Sequence, residues 1–247
     1  LRVGTCGWSL ARERYLARFS AIEVQQTFYQ PPAVATARRW AQGVREGFAF
    51  SVKAWQLITH PATSPTYRRL RMPLDEQARG RCGNFADSPE VEMAFHRTME
   101  VAEALQARAV LFQTPASFTP EPGHMERLVR FFRRHGPGGR LFCWEPRGSW
   151  PRELAEELCH ELGLVLVADP FSGPVPQGPV VYLRLHGRGG YRYRYSEGEL
   201  DQLAGWIRGW LAEGREVWCL FNNVWMAQDA ARLQERLGQQ GPPAREA

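Results

Sequence analysis

The sequence contains almost no lysine. Of the 31 basic residues among 247, only Lys53 is a lysine and the others are arginine. Also missing is any apolar run close to the roughly 20 residues that a membrane-spanning helix needs. The first residues do not have the pattern of a signal peptide. These absences argue against an integral membrane protein, and we expect a globular protein of the cytoplasm.

Paired cysteines are missing as well. The five cysteines include no C-x-x-C pair, which argues against a disulfide scaffold and against a structural zinc site. The histidines show neither H-x-H nor H-E-x-x-H spacing, so no motif indicates a metal site. The sequence therefore identifies no cofactor. A divalent metal ion could be bound only by carboxylates and one histidine that lie far apart in the sequence.

The charge balance is moderately basic. With 31 basic and 26 acidic residues the formal net charge is +5, which favours an anionic small molecule or nucleic acid as partner. The alternative is that arginine only serves as the ordinary surface cation. Oligomeric state is not indicated by any feature of the sequence.

Short apolar segments alternate with amphipathic helical segments along the whole chain. This pattern predicts an α/β fold, a single TIM-type (β/α)8-like barrel over residues 1–237, with a frayed tail over 238–247. The link from Phe171 to Pro179 is too rich in Gly and Pro for a helix, so we expect an irregular barrel between strands six and seven. The predicted strands are Leu1–Gly4, Ala21–Val24, Phe48–Lys53, Ala109–Gln113, Leu141–Glu145, Leu164–Ala168, Val180–Leu185 and Val217–Phe221.

Two helix starts carry recognisable caps. Ser88 followed by Pro89 predicts an N-cap and a first-turn proline. Ser196 with Glu199 predicts a capping box. Both caps precede apolar residues at helical spacing, so we expect long helices from these points.

Charged side chains occupy the carboxyl ends of the predicted strands, where barrel enzymes carry their chemistry. Side-chain alternation places Arg184 and His186 on the same side of strand seven, facing the barrel interior. The alternative is an ion-pair network that only closes the top of the barrel. The predicted catalytic residues are Glu23, Lys53, Glu145, Asp169 and His186.

Polar and aromatic side chains surround these positions. Arginine can bind phosphate oxygens, amides can orient a substrate, and rings can stack on sugars or bases. The predicted substrate-binding residues are Trp8, His60, Gln113, Arg147, Arg184, Arg188, Tyr191, Tyr195, Asn222 and Asn223.

Lys53 stands at a strand end in a chain that otherwise uses arginine. A lysine can lose its proton when buried, attack a carbonyl or act as a base, which a guanidinium cannot do. It can also bind a phosphate as a point charge. No second activating feature is visible, so we favour anion binding over imine chemistry.

Arginine and tyrosine alternate from Tyr191 to Tyr195, just after a glycine-rich run. This composition is typical of loops that bind phosphate backbones and stack on bases. A solvated hairpin is the alternative. The glycines themselves lack the strand–turn–helix context of a P-loop.

Recognisable motifs are spread over nearly the whole chain. In order, they are Gly4-Thr5-Cys6-Gly7-Trp8, Ile22-Glu23-Val24 through Thr27-Phe28-Tyr29, Phe50-Ser51-Val52-Lys53, Ile58-Thr59-His60, Leu111-Phe112-Gln113 through Pro115, Glu145-Pro146-Arg147 through Trp150, Arg184-Leu185-His186-Gly187 and Phe221-Asn222-Asn223. Together they resemble the YecE-like family, known as domain of unknown function 72. The resemblance implies a TIM-barrel-like fold, distantly similar to the barrel of endonuclease-type phosphodiesterases, and it implies no particular activity. Two positions depart from the family pattern, which has Asn where Gln25 stands and an acidic residue where Val224 stands.

Three functional hypotheses follow. The first is a hydrolase of a phosphate ester, in a small molecule or in nucleic acid, with arginine and lysine binding phosphate and with carboxylates and His186 supplying a base or holding a metal. The second is an aldolase or isomerase of a phosphorylated sugar that forms an imine with Lys53. The third is a barrel without catalysis that binds nucleic acid through residues 191–195.

Overall fold

The computed structural model describes residues 1–238, in which eight strands alternate with helices. Four strands have the bounds predicted from the sequence, and the other four differ by one or two residues at an end. The observed strands are β1 Arg2–Cys6, β2 Ala21–Val24, β3 Ala49–Lys53, β4 Ala109–Gln113, β5 Leu141–Glu145, β6 Val165–Leu166, β7 Val180–Leu185 and β8 Glu216–Phe221.

Both predicted helix caps are present. The Ser88 hydroxyl accepts a hydrogen bond from the backbone of Val91 at 3.3 Å, and Ser196 forms a full capping box with Glu199. The helices are α1 Arg12–Arg18, α2 Gln26–Tyr29, α3 Val34–Ala41, α4 Gln56–Thr59, α5 Glu76–Gly80, α6 Pro89–Ala104, α7 Pro122–Arg134, α8 Arg152–Leu162, α9 Glu197–Ala212 and α10 Met226–Arg236, with a 3-10 helix at Pro65–Arg69.

The chain divides into two compact units. Unit 1 contains residues 1–24, 44–50 and the chain from Val167 onward, and unit 2 contains residues 25–43 and 51–166. The prediction of one domain over residues 1–237 stays a prediction. Of the tail predicted over 238–247, residues 239–247 lie outside the described residues.

In unit 1 the parallel strands run in the order β2-β1-β8-β7. Gly4 lies opposite Ala21, and a Cβ at Gly4 would be 1.9 Å from the Ala21 carbonyl oxygen. That carbonyl also accepts a hydrogen bond from the Tyr15 hydroxyl at 2.8 Å, and the same hydroxyl accepts one from the Thr5 backbone at 2.9 Å. Only glycine allows β1 to approach β2 so closely.

In unit 2 strand β4 lies between β3 and β5. Lys53 pairs in register with Leu111, and Gln113 pairs with Glu145. Because these strands are parallel and end together, their carboxyl ends form one edge. The polar residues that end β3, β4 and β5 therefore share that edge.

The fold class is the predicted one, an α/β barrel of the TIM type with eight strands in a parallel sheet. The irregularity expected between strands six and seven is confirmed, because β6 has only two residues and residues 169–179 contain no helix. Ala168 makes an isolated bridge to Leu183, with hydrogen bonds of 3.0 Å to Tyr182 and Arg184. No helix within residues 1–238 is long and apolar enough to cross a membrane.

Candidate active-site residues at the strand ends

Unit 1 buries an ion pair at the ends of β2 and β7. Glu23 and Arg184 are almost completely buried, and Arg184 Nη2 donates to Glu23 Oε1 at 2.9 Å. The other carboxylate oxygen accepts a hydrogen bond from the Tyr182 hydroxyl, also at 2.9 Å. Charge-assisted hydrogen bonds of this length are strong and directional, so Glu23 fixes the position of the Arg184 guanidinium.

His186 follows β7 and is half-buried. Its Nδ1 lies 3.0 Å from the side-chain nitrogen of Asn222, and Asn222 is itself positioned by a backbone hydrogen bond to Leu185. With the amide nitrogen as donor, the neutral imidazole carries its proton on Nε2. The Asn222 amide thus helps to orient the imidazole, and its Nε2–H can donate a hydrogen bond.

Residues Gly187–Tyr195, which we call the loop, form a folded segment. Gly187 has φ +85°, and a Cβ there would meet the Cβ of Tyr193 at 2.6 Å. The Gly187 backbone donates to the Tyr195 hydroxyl at 3.0 Å. Tyr195 is buried with its ring 5.6 Å from that of Phe221, and burial raises the pKa of its phenol. The Tyr195 side chain therefore ties both ends of the loop together.

Asp229, a buried carboxylate on α10, stabilises the loop through hydrogen bonds. It accepts hydrogen bonds from the side chain of Asn223 at 2.8 Å, from the Tyr195 backbone at 3.4 Å and from Arg232 at 2.9 Å. Asn223 also donates to the Tyr193 carbonyl at 2.8 Å. The sequence analysis missed Asp229. Its spacing of three residues from Arg232 on one helix was the only available signal.

Arg188 and Tyr191 lie on the outer side of the loop. Arg188 is paired with Glu199 at 3.3 Å, and the Tyr191 ring is 6.2 Å from the ring of His186. Burial opposes ionisation of Glu199, but hydrogen bonds from Tyr193, from the cap of α9 and from Arg188 lower its pKa to about 2. Glu199 is thus a fixed anion at the base of the loop.

Trp8 and Asp169 complete the predicted residues of unit 1. The half-buried Trp8 ring packs edge-on against Tyr15 at 5.1 Å. Asp169 Oδ1 accepts a hydrogen bond from the Phe171 backbone at 3.0 Å. These contacts orient the ring and close the turn after β6.

In unit 2, Lys53 ends β3 and is only 7% exposed. Its ammonium lies 4.0 Å from the centroid of the Phe28 ring, and its carbonyl accepts a hydrogen bond from the Thr27 hydroxyl at 2.7 Å. An ammonium over a ring face is attracted by the ring's quadrupole. Phe28 therefore belongs to the surroundings of Lys53, although sequence reasoning singled it out only as part of a family motif.

His60 contacts the same ring. Its imidazole is 4.8 Å from the Phe28 centroid, and Nδ1 lies 2.8 Å from the Thr59 hydroxyl. Burial, together with the positive charge of Lys53, lowers the pKa of His60 to about 3. The His60 imidazole is therefore neutral at physiological pH, next to the only lysine of the chain.

Glu145 and Arg147 form an ion pair after β5. Arg147 Nη2 is 3.0 Å from Glu145 Oε1, and the Glu145 carbonyl accepts a hydrogen bond from the Thr114 backbone at 3.0 Å. Gln113 lies opposite Glu145 in the ladder. This edge of unit 2 thus presents a carboxylate, a guanidinium and an amide.

The predicted residues fall into small groups inside each unit. Within residues 1–238, no set of three or more His, Cys, Asp or Glu side chains is placed to hold a metal ion. The groups are Glu23 with Arg184, His186 with Asn222, Asn223 with the loop, Lys53 with His60, and Gln113 with Glu145 and Arg147.

Fold and site together define a TIM-type barrel with buried and half-buried charged groups at its strand ends. The chain belongs to the family described as protein of unknown function DUF72, whose sequence model matches residues 2–247. No curated protein is significantly similar to it in sequence.

Solved structures share the fold. A DUF72 family protein from Enterococcus faecalis V583 is 22% identical with a TM-score of 0.71, covering 96% of this chain and 97% of that chain. A DUF72 family protein from Thermotoga maritima MSB8 is 21% identical with a TM-score of 0.71, covering 96% and 98%. Endonuclease IV from Thermus thermophilus is 13% identical with a TM-score of 0.53, covering 97% and 98%.

Proposed function

We propose that the protein is a hydrolase of phosphate esters, with His186 as a hydrogen-bond donor to the substrate. The observation that carries the proposal is the oriented imidazole after β7, whose Nδ1 lies 3.0 Å from the Asn222 amide. Arg184 precedes it by two residues on the same strand, and Arg188 follows by two. A strand end with one oriented imidazole and two guanidinium groups suits an anionic substrate.

The chemistry requires hydrogen-bond donors and positive charge. Water attacks phosphorus, the bond from phosphorus to the leaving oxygen breaks, and the leaving oxygen takes up a proton from solvent while the attacking water releases one. His186 Nε2–H donates a hydrogen bond to the leaving oxygen, and the exposed Arg188 offers charge to the non-bridging oxygens. Arg184 is buried and paired with Glu23, so it supports this strand end from inside the unit.

The fold supports the choice of substrate to be tested. A protein of the same fold is named an endonuclease, which makes nucleic-acid phosphodiesters one candidate class beside small phosphate esters. A divalent metal ion, if required, would polarise the phosphoryl oxygen and activate water.

The experiment measures turnover of p-nitrophenyl phosphate, bis(p-nitrophenyl) phosphate, and single-stranded, double-stranded and abasic DNA. Each substrate is tested in EDTA and with Mg²⁺, Mn²⁺ or Zn²⁺. For at least one combination we expect turnover that His186→Gln lowers by about 10²- to 10³-fold, because a positioned hydrogen-bond donor is lost. Glu145→Gln tests the carboxylate of unit 2 in the same assay.

His96→Gln is the matched control, because His96 is an exposed histidine on α6. It should retain wild-type turnover. Wild-type rates no higher than those of His186→Gln under every condition would refute the proposal.

A second candidate function is supported by one observation, the buried amine of Lys53 beside a neutral imidazole. Here the amine would condense with the carbonyl of a phosphorylated sugar, with loss of water, to form an imine. Borohydride would reduce that imine to a stable secondary amine and add the substrate's mass at Lys53. Absence of that mass with a panel of phosphorylated aldoses and ketoses, or its persistence in Lys53→Arg, would contradict this candidate.

A further inference from the structure

Three exposed hydrophobic side chains gather on one surface of unit 1. Within the described chain four large hydrophobic side chains are exposed, and three are Tyr191 at 61%, Val224 at 66% and Trp225 at 37%. The Val224 backbone donates a hydrogen bond of 2.7 Å to the Tyr191 carbonyl. We call these three residues the platform. Its rings are exposed although the protein has a large core that could have held them.

The platform is bordered by arginine. The Arg194 guanidinium lies 4.9 Å from the centroid of the Trp225 ring, and Arg192 is exposed between the two tyrosines that flank it. Over residues 1–238, neither Arg192 nor Arg194 forms an ion pair. The nearby carboxylate of Glu199 already accepts hydrogen bonds from Tyr193 and Arg188. The border of the platform is therefore positively charged.

The platform is also held in place by its supports. The loop that carries Tyr191 is tied by Tyr195 and by Asn223, and both contact the buried Asp229. Trp225 is the N-cap residue of α10, the helix that contains Asp229. A surface that is already ordered loses little conformational entropy when it binds a ligand.

We propose that the platform binds single-stranded nucleic acid. Unpaired bases would stack on the rings of Tyr191 and Trp225, and Arg192 and Arg194 would contact the phosphates. A duplex hides its base faces, so rings exposed in this way suit a single strand. The Tyr191 ring lies 6.2 Å from that of His186, so a bound strand passes beside His186. In naming this substrate class, the inference rests on the proposed function.

The experiment is fluorescence anisotropy of labelled dT12, with a labelled 12-base-pair duplex as comparison, in EDTA at 50–200 mM salt. We expect tighter binding of dT12 than of the duplex. Tyr191→Ala and Trp225→Ala should each weaken binding by at least about fivefold, because one stacked base is lost. Tyr191→Phe keeps the ring and should bind as the wild type does.

The arginines are tested by salt dependence. The slope of log K against log salt is negative. In Arg192→Ala/Arg194→Ala it should become shallower by about 1.4, since each phosphate contact to a single strand contributes about 0.7 to its magnitude. Arg14→Ala/Arg18→Ala removes the same charge from α1 and should leave the slope nearly unchanged. Met93→Ala, which removes the fourth exposed hydrophobic side chain, should bind normally.

Other outcomes would overturn the inference. These are equal binding of duplex and dT12, equal losses in the platform and control variants, or binding only to vesicles of phosphatidylcholine and phosphatidylglycerol. Circular dichroism checks that each variant is folded. Binding is measured in EDTA and separately from turnover, so the two proposals can fail independently. If dT12 binds but no substrate is turned over, only the proposed function is contradicted. Turnover of aryl phosphates without dT12 binding removes only this inference.

Discussion

Arg184 and Lys53 are both cations buried at the carboxyl end of a strand, but each unit surrounds its cation differently. In unit 1, Arg184 contacts the carboxylate of Glu23 at 2.9 Å. In unit 2, the ammonium of Lys53 lies over the Phe28 ring, and its charge helps to keep His60 neutral. A carboxylate neutralises a buried cation through strong hydrogen bonds, whereas a ring face attracts it more weakly. We infer that Glu23 contributes more to holding Arg184 than Phe28 contributes to holding Lys53.

The largest expected effect comes from breaking the carboxylate pair. Glu23→Gln leaves the Arg184 guanidinium buried without the charge of Glu23, and we expect a loss of about 3–5 kcal/mol in unfolding free energy. Urea denaturation followed by circular dichroism measures it. Tyr182→Phe is the matched control, because it removes one hydrogen bond and keeps the ion pair, at a cost of about 1–3 kcal/mol. Equal losses in the two variants would show that the charge itself matters little.

An intermediate effect concerns pH and His60. The pKa of His60 is about 3 in the folded protein and about 6.5 when unfolded. Between these values the unfolded chain binds more protons, so the free energy of unfolding falls as pH falls from 6.5 towards 3. The loss is about 2 kcal/mol by pH 5. Denaturation curves at pH 7 and pH 5 measure it.

His60→Gln sharpens that measurement. This variant should lose less stability between pH 7 and pH 5 than the wild type, because the buried titrating group is gone. His96→Gln, which changes an exposed imidazole, should keep the wild-type pH dependence. Parallel pH profiles for wild type and His60→Gln would contradict the assignment.

The smallest expected effect comes from Lys53. Lys53→Met removes the ammonium from the Phe28 ring, and we expect a loss of about 1 kcal/mol, within the usual range for a cation over a ring. The same change should raise the pKa of His60, since Lys53 is one of its two causes. Burial is the larger cause, so the pKa should stay below 6.5. Titration of the His60 ring signals by NMR measures whether the pKa rises and whether it stays below 6.5. An unchanged pKa would show that Lys53 does not influence His60.

Much of the fold was predictable because it depends on local patterns. The bounds of β7 followed from apolar alternation over Val180–Leu185, and the start of α9 followed from Ser196 and Glu199. β6 was predicted too long, since Leu164–Ala168 is apolar throughout but only Val165–Leu166 forms a ladder. Apolar character favours a strand but does not show how many of its residues pair, and residues 165–168 are only half-buried.

The positions of the candidate residues in the fold were predictable, and their contacts were not. The strand-end rule placed Glu23 and Arg184 correctly, but Glu23 meets Tyr182 and Arg184 across 159 and 161 residues of sequence. Phe28 was noted only as part of a family motif, because no sequence pattern shows which ring a lysine will contact. The alternating tyrosines looked equivalent, yet Tyr191 is exposed and Tyr195 is buried, because the loop does not continue the strand.

The single lysine gives this protein a built-in chemical reporter. Apart from the α-amino group, Lys53 is the only primary amine in the sequence, and its side chain is 7% exposed. An amine-reactive ester can therefore acylate it only when the end of β3 opens to solvent, so the labelling rate measures that local opening. A compound that holds this region closed slows the labelling. Once the α-amino group has been acylated, one further mass shift in the intact protein is enough to screen for ligands before any reaction is known.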